Sequence, residues 1–337
     1  MGHKSIEKVA VVIPNLNGAG YIKEAINSLL NQTFKATIIV IENASTDNSV
    51  TILENYGQKI ITLHNAKNLG FAGGVNTGII YALERGFHAI ALFNNDAVAD
   101  RKWLLNLVGS MNRCKDAGII TCRIQLSGNK LLDSTGEFYT IWGLPYPRGR
   151  GRSVNKYTSE EEVFGASGGA SLYRSKMFED IGIFDDKFFA YYEDIDISFR
   201  AQLSGWKVLY NPDAVVTHRQ GETSKRMIKG FTVYQTFKNL PTLFWKNVPS
   251  DLLIQYGVRF TIAYSLMLIK AVVSGKFWPA VKGVTWSFIL IPHTFSERYR
   301  IQKNRKVTSG YINSIIVHDL PPDQTGLRKL RKVFIGK

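Results

Sequence analysis

Residues 89–100 read AIALFNNDAVAD, and this stretch decides the class of fold. Its short apolar run ends abruptly at Asn94, Asn95 and Asp96, which is typical of a buried strand. The acid at the strand end admits two interpretations, a cap for the helix that follows or a site for a metal ion or phosphate. Asp100 is the better helix cap, which leaves Asp96 as a candidate ligand-binding residue.

Three further apolar runs precede this strand, at residues 9–15, 36–43 and 59–65. Helical periodicity separates them, with helices predicted over 19–32, from about residue 47, and over 74–85. Near-continuous apolar strands joined by single helices indicate a parallel sheet with helices on both faces.

Polar side chains follow each of the four predicted strands. They are Asn15 and Asn17, then Glu42 and Asn43, then Asn65 and Lys67, and finally Asn94, Asn95 and Asp96. Because the carboxyl ends of parallel strands share one edge, where α/β proteins bind ligands, the sequence predicts a ligand cleft there.

The charge balance of the 337-residue chain favours an anionic partner. Lys and Arg number 42 against 27 Asp and Glu, so nucleic acid, anionic lipid and diphosphate substrates all stay open. The two cysteines, Cys114 and Cys122, lack metal-binding spacing, which argues for a reducing compartment and against a zinc site. The N-terminal sequence does not resemble a secretory signal, so we expect a protein of the cytosol or of the cytosolic membrane face.

A glycine-rich segment, NLGFAGGVNTG at 68–78, precedes the third predicted helix. Glycines let the backbone approach a ligand closely, and a helix N-terminus favours anions. The spacing matches neither the ATPase phosphate loop nor the dinucleotide-binding fingerprint.

The second half of the chain is less regular, but it contains a group of acids. The segment 143–153, rich in Pro, Gly and Arg, is predicted as a mobile loop. A helix over 192–205 starts with Glu193 and Asp194, whose crowding among aromatic residues could raise one pKa toward the range of a general base. The pair Asp196 and Arg200 is spaced for a structural ion pair. Segment 206–218 is predicted as a strand pair ending at His218, for which a structural role and a metal-binding role stay equally open.

Six blocks in this order resemble family 2 glycosyltransferases, and within that family the rhamnosyltransferase-type branch of bacterial cell-surface polysaccharide synthesis. The blocks are VVIPNLNG (11–18), IENASTDNS (41–49), NLGFAGGVNTG (68–78), LFNND (92–96), ASGGASLYR (166–174) and FFAYYEDIDISFR (188–200). The resemblance spans about residues 8–220. It implies a GT-A fold, which is a Rossmann-like, mostly parallel sheet with helices on both faces. It also implies a nucleotide-diphosphate-sugar donor, a divalent metal (Mg²⁺ or Mn²⁺) and inversion at the anomeric carbon.

The resemblance also implies roles for individual residues. Asp194 would be the catalytic base, and Asp96 and His218 would bind the metal. The donor nucleotide would be bound by Pro14, Asn15, Asn17, Glu42, Asn43, Lys67, Gly73, Asn76, Asn94 and Asn95, and the acceptor would lie beside Ser167, Gly168, Gly169, Ala170 and Glu193. Two positions depart from the family pattern. Glu42 stands where most relatives have Asp, and Asn94 replaces the first acid of the DxD motif, so the metal site would be completed by the donor.

The same resemblance favours dTDP-L-rhamnose as the donor, with UDP-sugars as the alternative, and a polyprenyl-diphosphate-linked saccharide as the acceptor. Two rival functions are weaker. The first is a non-catalytic, basic nucleotide- or nucleic-acid-binding protein, for which no recognised nucleic-acid-binding motif is present and whose cleft carries acids. A nucleotidyltransferase would need a basic glycine-rich loop after the first strand, and PNLNGAGY at 14–21 has no basic residue. We therefore expect no nucleic-acid partner.

Beyond residue 222 the composition changes. We predict a GT-A domain over 1–222, with a nucleotide-sugar half over about 1–100 and an acceptor half over about 101–222, followed by a helical region over 223–337. Trp, Phe and Leu alternate there with scattered Lys and Arg, which favours amphipathic helices on the cytosolic face of a bacterial membrane. A packed or homo-oligomerising helical domain and a membrane span are the alternatives. Ten Lys or Arg against three acids after residue 296 favour anionic lipid.

Overall fold

The structure is a computed structural model and describes residues 5–128, 130–218 and 229–320. The predicted boundary near residue 222 and the basic segment beyond residue 320 lie outside the described residues.

The first half of the chain forms the predicted parallel sheet. Its strands are β1 (Val9–Asn15), β2 (Thr37–Glu42), β3 (Ile61–His64) and β4 (Ala89–Phe93), in the spatial order β3-β2-β1-β4. The connecting helices are α1 (Ile22–Leu30), α2 (Ser49–Glu54) and α3 (Gly70–Glu84).

Helix α3 begins four residues before the predicted start. Its first turn is fixed from outside the helix, because Asn68 Oδ1 accepts from the Gly70 N–H at 2.8 Å and the Phe189 carbonyl accepts from the Ala72 N–H at 3.1 Å. Gly70 has a φ of 72°, and a Cβ there would lie 2.3 Å from the Phe189 carbonyl oxygen. Glycine therefore permits the close approach that starts the helix early.

The second half makes the sheet mixed. It contributes β5 (Ala97–Ala99), β6 (Ala117–Leu126), β7 (Leu132–Ser134), β8 (Glu137–Tyr139), β9 (Pro145–Pro147), β10 (Glu161–Glu162), β11 (Ala170–Arg174) and β12 (Lys207–His218). Strand β11 lies between β4 and β6 and is antiparallel to both, whereas β12 is parallel to β6. Strands β8 and β9 form a separate pair.

Two predictions for this half need correction. Segment 206–218 is one strand rather than a pair, because the Asn211 side chain accepts from the Asp213 N–H at 2.8 Å and stabilises a bulge within β12. The segment predicted as a mobile loop includes β9 and is anchored by ion pairs of the buried Arg148 with Glu161 and of Arg150 with Asp133.

Helices cover both faces of the sheet. Helix α1 and helix α4 (Trp103–Arg113) pack on one face, with Ile26 and Trp103 fully buried. On the other face lie α3, α5 (Ser175–Ile181) and α6 (Glu193–Leu203). Helix α6 therefore lies between the sheet and the rest of the chain.

The C-terminal region is helical, as predicted. Its helices are α7 (Phe231–Asn247), α8 (Ser250–Val273), α9 (Phe277–Ile289), α10 (Ile291–Lys303) and α11 (Ser309–Ile315). One apolar cluster joins Phe199 of α6 to Phe244 of α7 and Phe260 of α8, and the latter two rings stack at 4.3 Å. The region is thus packed against the acid-bearing helix α6.

Helix α8 is unusually apolar and exposed. Among the described residues it alone is long and apolar enough to cross a membrane, judged by length and composition. Its most apolar 18 residues have a mean hydropathy of 1.5 and are 17% buried.

Candidate active site

A pocket of about 350 Å³ opens at the carboxyl ends of β1 and β4. Both strands have polar residues at their ends. Successive strands are added on one side of β1 up to β3, and β4 is then added on the other side. Open α/β sheets bind ligands at such a point. Residues from both halves of the chain line the pocket: Pro14, Asn15, Leu16, Asn43, Asn68, Gly70, Phe71, Asn94, Asn95, Asp96, Asp133, Arg150, Ser167, Gly168, Gly169, Phe189, Ala190, Tyr191, Glu193, Asp194 and His218.

The polar ends of the parallel strands form one hydrogen-bonded group, which we call the polar edge (Asn15, Glu42, Asn43, Asn65 and Asn95). Asn15, at the end of β1, donates from Nδ2 to Glu42 Oε2 and accepts at Oδ1 from Asn95 Nδ2, both at 2.9 Å. Asn15 is fully buried, so its side chain has one orientation in which both neighbours are satisfied.

Asn43 connects the polar edge to the glycine-rich segment. Its Oδ1 accepts from Asn65 Nδ2 at 3.0 Å and from the Leu69 N–H at 3.1 Å, while its Nδ2 donates to the Gly70 carbonyl at 3.0 Å. The strand ends and the start of α3 are therefore held in one arrangement before any ligand arrives.

Five residues predicted to bind the nucleotide lie outside the pocket lining: Asn17, Glu42, Lys67, Gly73 and Asn76. Both Glu42 oxygens are engaged, by Asn15 Nδ2 and by the Ser45 N–H at 2.5 Å. Asn76 is paired with the backbone of Phe184, donating at 2.8 Å and accepting at 3.1 Å.

The other three residues of this group, Asn17, Lys67 and Gly73, also lie outside the pocket lining. Asn17 Oδ1 accepts from the Thr46 N–H at 2.7 Å. A Cβ on Gly73 would lie 2.7 Å from the Leu69 Cβ, and Lys67 is exposed. Asn17 and Gly73 thus contact neighbouring segments, and the contact of all five residues with a nucleotide stays a prediction.

Asp96 and His218 meet on one side of the pocket. His218 Nε2 lies 3.0 Å from Asp96 Oδ1, and His218 Nδ1 lies 2.8 Å from Asp133 Oδ2. Burial alone would lower the pKa of His218, but the hydrogen bonds to Asp133 and Asp96 outweigh it and raise the pKa to about 9.

This donor set fits a divalent cation. An imidazole whose second nitrogen is held by a carboxylate is the usual form of a metal-binding histidine, and Asp96 adds an oxygen ligand beside it. Across residues 5–128, 130–218 and 229–320, however, no group of three or more His, Cys, Asp or Glu side chains could hold a metal. Asp96 and His218 would therefore need further ligands from the substrate.

Asp194 lies at the start of α6 and lines the same pocket. Its Oδ2 accepts from the Gly168 N–H at 3.1 Å and its Oδ1 from the Ile195 N–H at 2.9 Å. Burial raises the pKa of Asp194, and the backbone hydrogen bonds partly oppose that change. Because these bonds favour the carboxylate, Asp194 is suited to accept a proton.

Glu193 is the neighbouring acid and has a different environment. It is 6% exposed, and its Oε2 has no hydrogen-bond partner within the described part of the chain. Burial, reinforced by the charge of Asp194, raises the pKa of Glu193 to about 8. Near neutral pH the proton of this pair is therefore held on Glu193, and the negative charge lies on Asp194.

The segment 167–170 passes between the two groups of acids. A Cβ on Gly169 would lie 2.9 Å from Asn94 Nδ2, and one on Gly168 would lie 3.4 Å from the Asp194 Cβ. Ser167, Gly168 and Gly169 line the pocket, whereas Ala170 starts β11 and is buried in the core. The glycines let this segment approach both sides of the pocket.

Two charged residues that line the pocket were not predicted from the sequence, Asp133 and Arg150. Arg150 was expected only as part of a mobile loop, and Asp133 had no predicted role. The structure pairs Asp133 Oδ1 with an Arg150 guanidinium nitrogen at 2.9 Å, beside His218. The clustering of three arginines in 148–152 was the only signal, since neither residue follows a strand of the parallel sheet.

The family of the chain follows from its similarity to known proteins. The sequence profile of glycosyl transferase family 2 matches residues 10–182, about half of the chain. The chain belongs to glycosyl transferase family 2. The matched residues include the polar edge, Asp96 and the segment 167–170, whereas Asp194 and His218 lie beyond them.

Curated relatives of this family member are distant. An uncharacterized glycosyltransferase of Rickettsia prowazekii is 28% identical over 57% of this chain, and the match spans only 58% of that relative. The N-acetylglucosaminyl-diphospho-decaprenol L-rhamnosyltransferase of Mycobacterium tuberculosis is 25% identical over 56% of this chain and 68% of its own length. An uncharacterized glycosyltransferase of Haemophilus influenzae is 22% identical over 92% of this chain and 98% of its own length.

Solved structures confirm the GT-A fold. GalNAc-T7, solved with UDP, GalNAc and Mn²⁺, superposes with a TM-score of 0.61 at 16% identity, covering 88% of this chain and 58% of that one. Residues 1–349 of S. aureus TarS, solved with UDP-GlcNAc, give a TM-score of 0.55 at 16% identity and cover 93% of this chain and 94% of TarS 1–349. At these identities the likeness concerns the fold alone.

Proposed function

We propose that this protein is an inverting glycosyltransferase that moves a sugar from a nucleotide-diphosphate donor to a hydroxyl group of a polyprenyl-diphosphate-linked saccharide. The observation that carries the proposal is the pocket itself, which is lined by the Asp96–His218 pair and by Glu193 and Asp194 of α6. Membership in family 2 and the GT-A fold support the reaction class.

The chain's own residues account for one displacement step. The acceptor oxygen attacks the anomeric carbon, the bond from that carbon to the diphosphate oxygen breaks, and Asp194 takes the proton of the attacking hydroxyl. Glu193, protonated near neutral pH, can donate a hydrogen bond to a second acceptor oxygen. A single displacement inverts the configuration and needs no covalent enzyme intermediate.

Asp96 and His218 would hold a divalent cation, with Asp133 orienting the imidazole. A cation held there would supply positive charge near the diphosphate leaving group. Arg150, half-exposed at the pocket wall beside Asp133, would add positive charge to the same region.

For the donor we propose dTDP-L-rhamnose, with UDP-sugars as the alternative. The Mycobacterium tuberculosis relative supports this choice because it is named as an L-rhamnosyltransferase with a polyprenyl-diphosphate acceptor. The donor is tested by a thermal-shift panel of dTDP-, UDP- and GDP-sugars with and without Mn²⁺. We expect metal-dependent stabilisation by dTDP-rhamnose above the others, and no stabilisation by any donor would overturn the proposal.

We propose that the helical region binds the cytosolic face of an anionic membrane. Helix α8 exposes Ile254, Val258 and Ile262 at four-residue spacing, which places them on one face. Trp278 in α9 is 76% exposed and has exposed Lys276 and Lys282 nearby in the chain. Because α8 is also long enough to cross a membrane, the binding mode needs its own experiment.

Sedimentation with liposomes distinguishes the two modes. Interfacial binding predicts stronger binding to anionic than to neutral vesicles and release by high salt or alkaline carbonate. Release only by detergent would indicate a span, and absence of binding to either vesicle would overturn the membrane proposal.

A further inference from the structure

The segment before the acids of α6 has an unusual backbone. We call Phe188–Tyr192 the aromatic loop, since four of its five residues are aromatic. Phe189, Tyr191 and Tyr192 all have positive φ values, of 63°, 69° and 74°. Bulky residues rarely adopt this conformation, which persists only where the surrounding structure holds it.

The aromatic loop forms part of the pocket. Phe189, Ala190 and Tyr191 line it, and Tyr192 directly precedes Glu193 and Asp194. The path of this loop therefore decides where both acids point.

Two adjacent residues of α7 hold the loop through its carbonyl groups. Asn239 Nδ2 donates to the carbonyls of Phe188 and Ala190 at 3.0 Å and of Tyr191 at 2.8 Å. Lys238 Nζ donates to the carbonyls of Lys187 at 2.8 Å and Phe188 at 3.1 Å. Asn239 is 1% exposed and Lys238 is 5% exposed, so water does not compete for these bonds.

The C-terminal end of α7 contacts the first turn of α6. Lys246 Nζ lies 3.0 Å from Asp196, and Asn247 Nδ2 donates to Asp196 Oδ1 at 2.8 Å. Asn239, Lys246 and Asn247 are spaced seven and eight residues apart, which places them on one face of α7. Helix α7 thus holds the backbone before Glu193 and the Asp196 side chain after Asp194.

We propose that Asn239 and Lys238 are positioning residues that hold the aromatic loop in its strained form and so aim Glu193 and Asp194 into the pocket. The catalytic consequence rests on the proposed function, whereas the positioning does not. The helical region therefore has a part in forming the active site, in addition to any contact with a membrane.

The test is Asn239→Asp in the full chain, which keeps the side-chain shape and removes the donors. The matched control is Asn211→Asp, because Asn211 is also buried and donates to a backbone carbonyl, that of Asn106 at 3.2 Å, but lies on β12. Hydrogen exchange read by mass spectrometry follows residues 186–196, and donor consumption with and without acceptor gives kcat and KM.

We expect exchange in 186–196 to rise about tenfold in Asn239→Asp and to stay unchanged in the control. In the same variant kcat should fall roughly 10- to 100-fold with the donor KM nearly unchanged. If Asn239→Asp does not fold, Lys238→Met is read in the same way.

Unchanged exchange in 186–196 would overturn the positioning, and faster exchange with kcat equal to that of the control would overturn its catalytic importance. A wild-type protein that consumes no nucleotide sugar would count against the proposed function alone, because the exchange result still decides the positioning.

Discussion

The polar edge and the acid side of the same pocket are built in different ways. At the polar edge, buried amides satisfy one another, as Asn15 does with Glu42 and Asn95. On the acid side, Glu193 keeps an oxygen without a partner among the described residues, and its pKa is raised. The polar edge is therefore fixed by its own hydrogen bonds, whereas the acid side keeps one carboxyl oxygen without a partner among the described residues, next to the carboxylate that we propose as the base.

We expect the largest effect from removing Asp194, the proposed proton acceptor on the acid side. Asp194→Asn should lower the rate of sugar transfer by about 10³-fold, because the amide cannot take the proton of the attacking hydroxyl. Donor affinity, measured by calorimetry, should stay nearly unchanged. The control is Asp213→Asn at an exposed position, and a transfer rate in Asp194→Asn equal to that control would remove Asp194 as the base.

The next effect concerns His218, whose two ring nitrogens contact Asp96 and Asp133. Asp133→Asn should weaken Mn²⁺ binding in the presence of nucleotide by about 10- to 100-fold, because the imidazole loses its orienting carboxylate. Titration calorimetry measures this affinity directly and needs no acceptor. Asp213→Asn is again the control, and equal affinities in the two variants would mean that Asp133 does not orient His218 for metal.

A third change breaks the polar edge. Asn15→Ala leaves a Glu42 oxygen and the Asn95 amide buried without their partner, which should lower the free energy of unfolding by about 1–3 kcal/mol. Urea denaturation measures the change. Asn31→Ala, an exposed position, should stay within about 0.5 kcal/mol of wild type, and a similar result for Asn15 would show that the edge can rearrange.

The last effect is a pH dependence of stability to which Glu193 contributes. Between the ordinary pKa of 4.5 and the raised value of about 8, folded Glu193 holds a proton that the unfolded chain has lost. Stability should therefore fall as pH rises through this window, by at most about 1.4 kcal/mol per pH unit.

Urea denaturation between pH 5 and pH 8 tests this dependence. Glu193→Gln should flatten the fall, because the amide does not titrate, whereas Asn15→Ala should keep it. His218 adds a loss of the same sign between its ordinary pKa of 6.5 and about 9, so the comparison is cleanest below pH 6.5. An unchanged slope in Glu193→Gln would mean that Glu193 is not protonated in the folded protein.

The sequence alone determined the parallel half of the sheet. Its strands are apolar on both faces because helices cover both, and this leaves a pattern that is readable without any contact information. The polar strand ends and the acid-rich start of α6 were readable for the same reason, since strand and helix boundaries are local features. The family resemblance then suggested roles for these residues, and the role of each stays a prediction.

Only the tertiary structure decided which distant residues meet. Asp133 and His218 are 85 positions apart in the chain, and Asn239 and Tyr191 are 48 positions apart. No periodic pattern in the sequence predicts either contact. The antiparallel insertion of β11 between β4 and β6 is likewise a matter of pairing between strands far apart in sequence. Local patterns specify what a segment becomes, because propensity and burial act within a few residues. Which segments meet depends on how all their surfaces pack together, and that packing placed the C-terminal helix α7 behind the acids of the active site.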